Sequence, residues 1–207
     1  RKKGIAYRVY GGQSFYQRKE VKDIIAYFRV VVNPDDEEAL KRIINYPARG
    51  IGETTVTKLM RTATEHGASL WAVVSDPAAY ALPANQGTLR KLGAFHDLIQ
   101  ELRSAVSEWP ANEMAELIIK RSGIAAELNQ DRSAEGISRQ ENMQEVPKAV
   151  REKENKAHEE GADEYLLSDF LREVSLQTDQ DEKQDESTER VTLMTVHAAK
   201  GLEFDNV

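Results

Sequence analysis

The sequence predicts a mainly α chain: a helical body, helix-hairpin-helix-like at one point, inserted into a fragment of an α/β domain. Three observations carry that expectation. Strand-forming runs of β-branched and aromatic residues occur only towards the two ends, at residues 5–10 and from Val191. Between them apolar residues return every three or four positions, the helical period. A stretch at 177–190, with six acidic residues and no apolar one, separates the helical part from the second strand.

Each element has a local reason. Residues 5–10 (Ile-Ala-Tyr-Arg-Val-Tyr) read as a strand closed by Gly11-Gly12. Ser14 and Gln17 stand three apart, the spacing of a capping box that satisfies the first backbone donors of a helix. Val21, Ile24, Ile25 and Phe28 then share one helical face. Asn33-Pro34-Asp35 ends that helix and starts another, in which Leu40, Ile43 and Ile44 face the core. Val56, Leu59, Met60 and Ala63 form a short apolar face. Leu92, Phe95, Ile99, Leu102 and Val106 form a long one, bounded by the breakers at 83–87 and by Pro110. Asn112 is placed to cap a helix running to Gly123, a left-handed stop. Residues 129–163 are highly charged, and Pro147 among them is expected to kink or end its helix, because it lacks an N–H. Leu167, Phe170, Leu171 and Val174 give a last amphipathic helix. The stretch 177–190 has nothing to bury and reads as a mobile linker.

At 207 residues the chain can bury a core and hold one large or two small domains. No apolar run approaches the roughly 18 residues that span a bilayer, and Arg1-Lys2-Lys3 is not followed by a signal-peptide core. With no cysteine there is no disulfide, thiolate metal site or Cys nucleophile. A cytoplasmic protein without a membrane partner is expected. The four histidines (66, 96, 158, 197) lack metal-ligand spacing, so no metal site is expected. There is no G-x-S-x-G elbow, and with no Gly-Lys dipeptide there is no phosphate loop. Trp71 and Trp109 fall at helical positions that suit a core better than base stacking.

The net charge of −7 conceals an asymmetry. Residues 1–61 carry 13 Lys/Arg against 7 Asp/Glu, and residues 62–207 carry 15 against 28. Binding follows local potential, so the basic part is compatible with phosphates, or with an ordinary solvated face. Within it, residues 47–55 (Pro-Ala-Arg-Gly-Ile-Gly-Glu-Thr-Thr) place two glycines around one apolar residue between two helical patterns. Such glycines let backbone amides approach a phosphate, Ile51 anchors the turn, and the next helix N-terminus favours an anion. The segment reads either as this backbone-binding hairpin or as a plain tight turn. The final polar cluster, His197, Lys200, Gly201 and Glu203, follows a run that reads as a buried strand, the position where open α/β sheets bind ligands. It too reads either as a site for a phosphate-bearing ligand or as a strand-to-helix turn.

Three segments together resemble the UvrD/Rep/PcrA group of superfamily 1 DNA helicases: residues 11–29, residues 33–35 with 42–52, and residues 193–204. The resemblance implies a middle fragment of a larger translocase. Residues 1–33 and 190–207 would belong to the second RecA-like domain, and residues 34–189 would be the inserted helical 2B subdomain. It implies no catalytic residue in this stretch, with ATP and Mg²⁺ used by the full-length enzyme and none bound to the fragment alone. Thr195 and His197 would contact single-stranded DNA, and Gly201 and Glu203 the nucleotide. Arg49, Gly50, Ile51, Gly52 and Thr54 would grip duplex DNA. Arg18, Glu20, Lys22 and Asp23 match a family helix in which an ion-pair role and a ligand contact are equally open. The implied partners are DNA at a single-strand/duplex junction, the remaining helicase domains and regulatory proteins, with stepping 3′→5′. Two alternatives stand beside this: a regulatory or protein-docking domain that does not touch DNA, and part of a RecB-like helicase–nuclease.

Overall fold

The computed structural model describes residues 7–10, 15–183, 191–194 and 196–200. Strand β1 (Tyr7–Tyr10) pairs in parallel with β2 (Val191–Met194), Tyr7 opposite Val191 and Tyr10 opposite Met194. Parallel neighbours cannot be joined by a tight turn and need a crossover. Here the crossover is the entire helical run between them. Residues 7–10 and 191–194, far apart in sequence, therefore meet in one sheet.

A 3₁₀ turn (Phe15–Gln17) leads into α1 (Lys19–Val32). The helix starts at Lys19 with Arg18 in the capping position and no side-chain cap, later than the capping box at Ser14 implied. Ser14 itself lies outside the described residues. Val21, Ile24, Tyr27, Phe28, Val30 and Val31 are fully buried, and Lys19 and Lys22 at its start are exposed, so α1 is a central helix buried over most of its length. It packs against α2 (Glu37–Ile43), α5 (Gln86–Ala105), α6 (Ala111–Ser122), α8 (Ala134–Glu159) and α9 (Leu167–Lys183). The sequence division at residues 33 and 34 thus does not coincide with a break in packing. Aromatic edges tie the ends of the body together: Phe28 meets Phe170 at 6.3 Å, and Phe170 meets Tyr16 at 6.4 Å.

The short elements follow local rules. Asp36 accepts from Ala39 N at 3.1 Å to cap α2, and is itself held by Arg29 at 2.7 and 3.0 Å. Helix α3 (Glu53–His66) stops at the left-handed Gly67, and Ser69 caps α4 (Leu70–Ser75). Asn85 caps α5. Gly123, at φ 87°, closes α6 and opens α7 (Ile124–Leu128), as expected of a left-handed stop.

Several expectations are corrected. Helix α8 runs through Pro147 to Glu159. The proline forfeits one backbone bond, but Met143, Val146 and Val150 around it are buried, and that packing outweighs a helix penalty of about 3 kcal/mol. Pro147→Ala is therefore expected to raise stability by about 1–2 kcal/mol, after the greater freedom of the unfolded chain is allowed for, as a shift in the urea midpoint. Asn112 is not the cap of α6. Pro110 holds that position, and Glu154 of α8 reaches across to accept from Asn112 N at 2.9 Å. Trp109 is 40% exposed and not in the core, whereas Trp71 is buried against His96 with the rings stacked at 5.3 Å. Met60 leaves its expected face and is 42% exposed. Helix α9 continues to Lys183, into the stretch read as linker. Among the described residues no helix is long and apolar enough to cross a membrane.

Candidate nucleic-acid interface

The turn between α2 and α3 is fixed from beneath by four groups. Tyr27 of α1 donates its hydroxyl to Tyr46 O at 2.6 Å, and burial pushes that phenol up to about 12, so it stays a donor. Asn45 Oδ1 accepts from both Arg49 N, at 2.9 Å, and Ile51 N, at 3.0 Å. Ile51 is fully buried and plugs the turn into the core. The Tyr46–Pro47 peptide is cis.

Arg49 is the fourth group, and the structure corrects its expected role. Its guanidinium turns inward and donates to Ile43 O at 3.3 Å, Pro47 O at 3.0 Å and Ser122 O at 2.7 Å. It also lies over the rings of Tyr27 and Phe95, at 5.7 and 5.5 Å from their centroids. The last of those carbonyls ends α6, where a cation meets the negative pole of a helix. A side chain so engaged positions the hairpin and is not directed at an outside phosphate.

The rest of the hairpin faces outward. Gly50, Gly52, Glu53 and Thr54 are all exposed. Gly50 has φ +70°, a conformation that favours glycine, and a Cβ there would come within 2.6 Å of Lys91 Nζ. Gly52 precedes α3 with φ −75° and open space around its Cβ position. The Thr55 and Val56 amides are satisfied by Gly52 O. Among the described residues, the amides of Gly50, Gly52, Glu53 and Thr54 have no acceptor. Exposed donors without an acceptor at the positive pole of a 14-residue helix suit an oxyanion. The Glu53 carboxylate stands against one.

Lys91 was not singled out by sequence reasoning, yet its Nζ donates to Gly50 O at 3.1 Å from 41 residues away. No sequence signal marks it, since a lysine on an amphipathic helix is ordinary. Three of the four residues Arg18, Glu20, Lys22 and Asp23 make contacts within the protein. Arg18 donates to Asn142 Oδ1, Asn142 donates to Glu20 Oε1 at 2.5 Å, and Asp23 pairs with Arg42 at 2.7 Å. Burial raises the Asp23 pKa, and Arg42 opposes the rise. Lys22 is exposed.

Thr195, Gly201 and Glu203 lie outside the described residues. His197 falls in a short helix, α10 (Val196–Ala199), directly after β2. Among the described residues no cluster of three or more His, Asp or Glu is placed to hold a metal.

Comparison with known proteins agrees over the whole chain. Residues 1–207 match the model of the UvrD-like helicase C-terminal domain. The chain is 35% identical over 203 residues to the ATP-dependent DNA helicase PcrA of Staphylococcus epidermidis, covering 98% of this chain and 27% of that protein. It is 36% identical over 211 residues to the ATP-dependent DNA helicase UvrD1 of Mycobacterium tuberculosis, covering 97% of this chain and 27% of that protein. With DNA helicase II of Salmonella typhimurium the identity is 32% over 203 residues, with 98% and 28% covered. The chain thus spans about a quarter of the length of these relatives.

Proposed function

The chain belongs to the UvrD-like helicase C-terminal domain family, and from that membership we propose that it serves an ATP-dependent DNA helicase, its α2–α3 hairpin holding duplex DNA by the backbone. The observation that carries this reading is the set of exposed, unpartnered amides at Gly50, Gly52, Glu53 and Thr54 on a turn fixed by Asn45, Arg49 and Ile51. Amides meet phosphate oxygens without reading bases, so such a grip is indifferent to sequence. That is what a motor moving along DNA requires.

Residues 34–189 act in this reading as the 2B-like insertion, and residues 1–33 with 190–207 as parts of a RecA-like layer. The parallel pairing of β1 with β2 supports a crossover insertion of that kind. Thr195 and His197 belong to the single-strand track, and Gly201 and Glu203 to the nucleotide. Bound ATP and Mg²⁺ would supply phosphoryl transfer to water, driving 3′→5′ stepping. The chain carries no phosphate loop of the G-x-x-x-x-G-K-[ST] kind.

Gly52→Ala tests the hairpin. The added methyl meets nothing within 4 Å and the φ suits alanine, so the fold is retained. The methyl would occupy the approach of a phosphate to the amides. Binding of the intact protein to a tailed duplex is expected to weaken about tenfold, equivalent to about 1.4 kcal/mol, with single-strand binding unchanged. Unchanged duplex affinity would remove the hairpin from the account.

A further inference from the structure

About half of the cations of the helical body are matched to carboxylates. Arg29, Lys41, Arg42, Arg121, Arg139, Arg151 and Lys153 each contact an Asp or Glu. Two lysines beside the hairpin are among those without such a pair. Lys91 on α5 bonds Gly50 O at 3.1 Å, and Lys58 on α3 bonds Pro83 O at 3.0 Å, just before α5 begins. Neither has a carboxylate partner among the described residues. Together they cross-tie α3 and α5 through main-chain carbonyls.

Their surroundings are basic in an acidic chain. Residues 77–96 contain no Asp or Glu and include Arg90 and Lys91. Lys58 lies one helical turn beyond Thr54, so the two share a face of α3. Lys91 Nζ thus stands at the hairpin itself and Lys58 follows it one helical turn along α3, and the partner of each is a neutral carbonyl. A carbonyl is readily exchanged for a phosphate, because a charge-assisted bond is the stronger one.

We propose that Lys91 and Lys58 are two further contacts for duplex phosphates, beside the one held by the hairpin amides, so that the grip spans several phosphates of one backbone. The inference rests on the duplex-binding reading of the hairpin.

The test is the salt dependence of binding of the intact protein to a tailed duplex. Each phosphate neutralised by a lysine contributes about −0.9 to the slope of log affinity against log salt. Lys91→Met and Lys58→Met, which keep side-chain length, are each expected to flatten the slope by about one, and the double variant by about two. Lys91→Arg and Lys58→Arg restore it. The loss is the same for duplexes of any sequence. A purely structural role for either lysine lowers the thermal midpoint and leaves the slope at its parent value, and that result overturns the proposal. Gly52→Ala, measured in parallel, separates the two claims. If it weakens binding while both Met variants keep the parent slope, the hairpin reading stands and this inference falls. If the lysine variants flatten the slope while Gly52→Ala has no effect, the cations stand and the amide grip falls.

Discussion

Arg49→Met is expected to lower stability by about 3 kcal/mol, the scale of losing charge-assisted bonds to buried carbonyls. The guanidinium satisfies three carbonyls from α2, the hairpin and α6, and the two rings beneath it add cation–π attraction. Methionine fills much of the volume but leaves Ser122 O and Pro47 O without their donor. Denaturant midpoints measure the loss. Duplex affinity should fall with it, since the hairpin loses its anchor, while the salt slope stays close to the parent value. A side chain reaching out to a phosphate behaves the other way: stability holds and the slope flattens by about one.

Phe28→Ala is expected to cost about 4 kcal/mol, within the usual range for deleting a fully buried ring. Phe28 has no exposed surface, and its ring meets Phe170 edge-on, joining α1 to α9 across most of the chain's length. Because α1 lies at the centre of the helical core, the substitution should move the unfolding of the helical body as one transition. If α1 instead belonged to a unit folding apart from the helices, two transitions would be seen and only one would shift.

These two sites differ in how far they could be read beforehand. The burial of Phe28 follows from its spacing with Val21, Ile24 and Ile25, a local pattern. Leu92, Phe95, Ile99 and Leu102 on α5 were legible for the same reason, and all four are buried. The glycines at 50 and 52 were legible as a turn because few other residues tolerate it. What escaped depends on partners far away in the chain. The inward turn of Arg49 is decided by Ser122, 73 residues on, and the α6 cap by Glu154, 42 residues on. Pro147 escaped because a local penalty is outweighed by burial of its neighbours, which periodicity does not weigh. Trp109 was misplaced because helical spacing alone does not say which side of a helix end meets solvent. The lysines beside the hairpin were invisible, since a cation's meaning lies in whether a carboxylate is near it.

The central claim is that the hairpin holds DNA through its own backbone amides, and hydrogen exchange reads those amides directly. In the free protein the amides of Gly50, Gly52, Glu53 and Thr54 have no acceptor among the described residues and should exchange quickly. On saturating the intact protein with a tailed duplex, exchange in residues 50–54 is expected to slow markedly, with α8 and α9 unchanged. Exchange at 50–54 that is as fast with duplex as without it, under conditions where the duplex is bound, contradicts the account.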